Sequence, residues 1–146
     1  MSTSPALALT ARGYPLYGLF VPFPFVCFIL ALLTDIAYWQ SSYLMWQNFS
    51  AWLLFAGLIG GALALIAGAI DLLRPRTLDM RPTLSAVIAF VATLVLAFVN
   101  SFVHAGDGWT AVVPYGLILS AVTVIVIVVT VFISAEHRTA IHWRLP

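Results

Sequence analysis

The sequence predicts an all-α membrane protein, a four-helix up-down bundle with both termini in the cytoplasm, and three observations carry that reading. Of 146 residues, 63% are hydrophobic and 8% charged, with a mean hydropathy of +1.09. A water-soluble globule of this composition has too few charges to cover its surface. The apolar residues fall into four runs of about 20 residues, each long enough to cross a bilayer. The chain has no Lys, and its six Arg fall in three places: Arg12, then Arg74, Arg76 and Arg81, then Arg138 and Arg144. The positive-inside rule puts those three places in the cytoplasm and the other two connections outside, in a multi-pass protein of a bacterial inner membrane.

Residues 1–146 form a single membrane domain, with spans at about 16–39, 50–73, 84–103 and 113–134. Arg12 precedes an apolar run too long for a signal-peptide core, so the first span is read as retained. Pro22 and Pro24 lie near its start and remove backbone donors, which bends or loosens the first turns. Gln40 to Asn48 reads as a short connection. The segment around Arg74, Arg76 and Arg81, with two prolines, breaks the second span from the third. An Ala-Gly-Asp-Gly-Trp turn at residues 105–109 separates the third from the fourth. Trp39, Trp46, Trp52 and Trp109, with Tyr38 and Tyr43, then gather as an aromatic belt at the outer interface, and Trp143 marks the inner one. The last twelve residues mix apolar and basic side chains, as a tail lying on the membrane surface does.

The second span organises the bundle. At 100° per residue, Gly57, Gly60, Gly61, Ala64 and Gly68 share a stripe that ends at Asp71, with Leu58, Ile59, Leu65 and Ile66 on the far side. Small residues let helix backbones approach closely, and in lipid that contact drives association, because Leu against Leu gains little over Leu against lipid tails. The third span repeats the pattern with Ala86, Ala89, Thr93, Ala97, Asn100 and His104. The fourth repeats it with Gly116, Ser120, Thr123, Thr130 and Ser134. Its opposite face, rich in Val and Ile, suits lipid or a larger partner.

Ionisable groups inside spans are costly and are weighed as functional candidates. Up-down topology brings Asp35, Asn100, His104 and Asp107 to one membrane level, the outer end. There they either cap and cross-link helix ends or form a proton or quinone-headgroup site, with His104 titrating and Asp35 as its partner. Asp71, three residues before Arg74, reads as an inner ion pair that pins the second connection. Cys27 is the sole cysteine, so neither an internal disulfide nor a thiolate metal cluster is expected, and it reads as an apolar filler. His104, His137 and His142 fall at opposite ends, so no pair faces across an embedded haem. No metal, cofactor or catalytic constellation is expected, and a net charge of +1 without a basic arm argues against nucleic acid.

The runs Val21–Trp39 and Ser50–Leu73, followed by Leu-Ala-Phe-Val-Asn at residues 96–100, Gly-Asp-Gly-Trp and Val-Val-Pro-Tyr-Gly, resemble a bacterial four-span membrane family, domain of unknown function 2231. Asp35, Asp71 and Asn100 match its pattern, while the family's His-Pro pair is Tyr14–Pro15 here. The resemblance implies an accessory or anchoring subunit beside periplasmic quinoprotein dehydrogenases and c-type cytochromes. The expected function is therefore a non-catalytic accessory or anchor subunit of a larger inner-membrane complex, respiratory or otherwise redox-linked. Its expected partners are the lipid bilayer and larger membrane-protein subunits, with a homo-oligomer left open. A small transporter or proton-conducting protein and a quinone-binding redox protein also stay open as alternatives.

Overall fold

The computed structural model describes residues 14–74, 81–106 and 109–142, with side chains to residue 135. Four stretches are long and apolar enough to cross a membrane: Tyr17–Ser41, Leu44–Leu72, Leu84–His104 and Trp109–Ala135. Among the described residues there is no strand. The first stretch is split by its prolines into α1 (Tyr17–Phe20) and α2 (Pro22–Ser41), with Val21 between them still in helical conformation. Pro22 takes the first position of α2, where a missing N–H costs least.

The second helix, α3 (Leu44–Leu72), begins six residues before the start read from the sequence, so the connection shrinks from Gln40–Asn48 to Ser42 and Tyr43. Polarity suggested a loop here. Met45, Trp46 and Gln47 are nevertheless good or neutral helix formers, and Ser42 makes the reversal by itself in the left-handed region at φ 54°. Its N–H closes the end of α2 on the Tyr38 carbonyl at 2.7 Å. Helix α4 (Leu84–His104) starts at a Thr83 cap whose hydroxyl accepts from the Ala86 N–H. A single 3-10 turn, Trp109–Ala111, leads to α5 (Tyr115–His142). The tail read as a surface segment is helical through His142, continuous with the fourth span.

The helices form a ring in which α2 packs on α3 and α5, and α4 packs on α5 and α3. All four meet at mid-bundle in a core of Cys27, Phe28 and Ala31 from α2, Leu54 from α3, Ala97 from α4 and Ile127 from α5. The outer surface is apolar as well. Phe23, Ile59, Phe98, Ile118, Ile125 and Phe132 are all exposed, as lipid-facing positions are.

The stripe on α3 is where helices come closest. A Cβ built on Gly57 falls 2.4 Å from the Phe28 ring, on Gly60 2.3 Å from Phe23, and on Gly61 2.3 Å from a Leu94 methyl. Ala64 is buried beside them. Gly68 differs: its nearest neighbour is Tyr17 Cβ at 3.9 Å, ordinary contact with room for a methyl group.

Candidate functional site

The antiparallel alternation brings the C-terminal turns of α2 and α4 and the first turns of α5 to one end of the bundle. Asp35, 0% exposed, lies on the buried face of α2 that also carries Pro24, Phe28 and Ala31. His104 ends α4, and Asn100 lies one turn before it. His104 Nε2 is 2.9 Å from Asp35 Oδ1, with both side chains fully buried. Ser120 of α5 donates to the other carboxyl oxygen at 2.5 Å, and the Asn100 amide donates to Ser120 Oγ at 2.8 Å. The second ring nitrogen of His104 faces the Asn100 carbonyl at 3.1 Å. The ring rests on Gly116, where a Cβ would fall 2.8 Å from the imidazole Cε1 and 2.9 Å from the Ala111 carbonyl. Glycine at that position leaves the room that the imidazole occupies between α4 and α5.

Three helices thus share one network centred on the carboxyl group. This order of contacts differs from a hydrolytic triad, in which a histidine lies between carboxylate and serine and takes the serine proton. Here Ser120 gives its hydrogen bond to Asp35, so it is not activated as a nucleophile. The fourth helix is tied in separately, through Thr34 and Ser50, whose hydroxyls are 2.7 Å apart. The Gln47 amide reaches the Gly106 carbonyl at 3.2 Å, joining α3 to the end of α4. Among the described residues, Asn100 Oδ1, Gln47 Oε1 and Ser101 Oγ are buried without a protein partner. Asp107 lies outside the described residues, as do the side chains of Arg76, His137, His142 and Trp143.

Of the aromatic belt, Trp39, Trp52, Trp109 and Tyr43 are exposed near this end. Tyr38 is a correction: it is 2% exposed and stacks on Trp109 with ring centroids 5.8 Å apart. It sits one turn after Asp35 on the same inward face, and that periodicity overrides the preference of tyrosine for an interface.

At the opposite end Asp71, 4% exposed, joins Arg74 at 3.1 Å and accepts the Tyr17 backbone N–H at 3.0 Å. The carboxylate therefore caps the short helix α1 besides pairing with arginine, a role that charge spacing alone does not reveal. Arg81 donates to the Leu72 carbonyl at 2.7 Å, a cation at the C-terminus of α3. Asp71→Ala should lower bundle stability by about 1–2 kcal/mol, the size of a lost cap. Arg74→Ala should cost less than about 1 kcal/mol, because its side chain is 39% exposed and partly screened. Unfolding of the purified variants in detergent checks the ranking, and equal losses would mean that the ion pair, not the cap, dominates.

Four apolar helices with their ionisable groups folded inward define a multi-span helical membrane protein. The chain belongs to the family described as predicted membrane protein (DUF2231), whose model matches residues 13–141. No curated protein and no solved structure matches it.

Proposed function

We propose that this chain is a non-catalytic anchor or accessory subunit of a larger assembly in a bacterial inner membrane, respiratory or otherwise redox-linked. Both termini and the Arg74–Arg81 connection face the cytoplasm, following the placement of the arginines. The observation that carries the reading is how the interior polar groups use their bonding capacity. Asp35 is engaged by His104 and Ser120, and Asp71 by Tyr17 and Arg74, so these carboxyls hold helices together instead of facing a substrate. Many large apolar side chains exposed along the spans and a two-residue connection between α2 and α3 suit a protein that works through lateral contacts in the bilayer. The apolar layer of Phe28, Leu54 and Ile127 across the middle disfavours a continuous polar path for a transported solute.

Purification of the tagged protein in a gentle detergent at native expression, followed by mass spectrometry and a visible absorption spectrum, tests this. Stoichiometric larger subunits, carrying haem or quinone, are the expected result. A colourless species containing this chain alone overturns it.

A further inference from the structure

The Asp35–His104 pair has two properties that anchoring does not require. The first concerns its proton. His104 Nδ1 faces the Asn100 carbonyl, which can only accept, so Nδ1 carries a hydrogen. One further proton then lies between Nε2 and Asp35 Oδ1, on nitrogen in an ion pair or on oxygen in a neutral acid–imidazole pair. Both arrangements have no net charge and the same hydrogen bonds. The proton can pass between the two atoms without rearrangement of either helix.

The second property is one-sided access. His104 is the last residue of α4, and exposed Ala105 and Gly106 follow it directly. Among the described residues, the buried acceptors Asn100 Oδ1 and Gln47 Oε1 at this end have no protein partner and so retain capacity to bind water. In the other direction Phe28, Leu54 and Ile127, none more than 2% exposed, lie across the bundle, and the buried hydroxyls of Thr93, Thr123 and Thr130 are each bonded to a carbonyl of their own helix.

We propose that the Asp35–His104 pair is a proton-exchange site that opens to one membrane face only. On release, the N–H or O–H bond breaks and the proton passes to water or a buffer base at the Gly106 end, leaving a pair of net charge −1. Return of the proton re-forms the bond. The groups around the pair are few. Tyr38 lies one turn beyond Asp35 on α2, and α5 offers Ser120, Gly116 and an exposed Tyr115. On α3 the neighbouring side chain at this level is the neutral Gln47, and Asp71 lies at the opposite end. Asp107, in the connection, lies outside the described residues. The proposal is independent of the subunit reading, since it concerns the chain alone.

The test follows the ring-nitrogen resonances of isotope-labelled histidine in the full-length protein in lipid nanodiscs, with His104→Gln identifying the signal. Raising the pH should change the His104 Nε2 resonance as the shared proton leaves, while Nδ1 keeps its hydrogen on the Asn100 carbonyl. Asp35→Asn preserves an acceptor for Ser120 and a donor for Nε2 but removes the shared proton. It should therefore abolish the signature of a proton shared between Nε2 and the residue-35 side chain, leaving Nε2 as a plain acceptor. If that variant does not fold, Ser120→Ala removes one donor to the carboxyl and supplies the same comparison. An Nε2 resonance that does not respond to pH overturns the proposal, as does a response that neither variant alters. In sealed vesicles holding the protein in one orientation, a pH step on one side should move the signal and a step on the other should not. A response from both sides, or from neither, overturns the one-sided site.

Discussion

Asp35→Ala should lower the stability of the bundle by about 3–5 kcal/mol, the cost of removing one partner from a buried ionisable pair. Asp35→Asn should cost no more than about 1 kcal/mol, the scale of one interhelical hydrogen bond in a membrane protein. The difference comes from counting donors and acceptors. In the alanine variant His104 Nε2 and the Ser120 hydroxyl lose their partner together at a site with no exposure, and a cavity replaces the carboxyl group. In the asparagine variant the amide oxygen accepts from Ser120, and the amide nitrogen donates to Nε2 of a neutral imidazole. The imidazole keeps its Nδ1–H on the Asn100 carbonyl. Denaturation in mixed micelles, followed by helicity, measures both variants. Equal losses would sink this account of the network.

The glycine stripe gives the second large effect, and it is graded along one helix. Gly57→Ala places a methyl group against the Phe28 ring, which is 1% exposed and held in the core by all four helices. Neither helix can yield without disturbing the other contacts, so the expected loss is about 1–3 kcal/mol, the usual cost of overpacking. Gly60→Ala meets Phe23 at an equally short distance, but that ring is 52% exposed and can swing toward lipid. It should cost under about 1 kcal/mol, that of one off-rotamer side chain. Gly68→Ala has room for its methyl group and removes a flexible residue from a helix interior, so it should be neutral or stabilising by up to about 1 kcal/mol. The order of unfolding midpoints across the three variants is the check. A Gly68 variant as weak as the Gly57 variant would mean that the stripe acts by flexibility and not by close approach.

Much of the architecture is written locally in the sequence. Run length and hydropathy mark four spans, and a stripe at helical period finds the face of α3 where Phe28, Phe23 and Leu94 crowd in. Alternation of direction is enough to carry Asp35, Asn100 and His104 to one end. Rotation and register between helices distant in sequence are another matter. Ser120 is 85 residues from Asp35, and its hydroxyl resembles those of Thr123 and Thr130, which bond back to their own helix. Nothing local distinguishes the one that crosses to α2. The start of α3 was hidden because polar residues at 40–48 resemble a loop, although a single left-handed Ser42 suffices to turn the chain. The cap that Asp71 gives to Tyr17 depends on where the prolines break the first span, 54 residues away.

The division of the polar network between the two halves of the chain bears on how the molecule is made. Asp35 belongs to the hairpin of α2 and α3, whereas its partners His104, Asn100 and Ser120 all belong to the hairpin of α4 and α5. During synthesis the first hairpin enters the bilayer before either group that bonds its Asp35 carboxyl, His104 or Ser120, has been inserted. That carboxyl stays costly in lipid until the second hairpin docks. Completion of the bundle is thereby coupled to the last span. A chain stopped after α3 lacks both groups that bond the Asp35 carboxyl in the whole molecule.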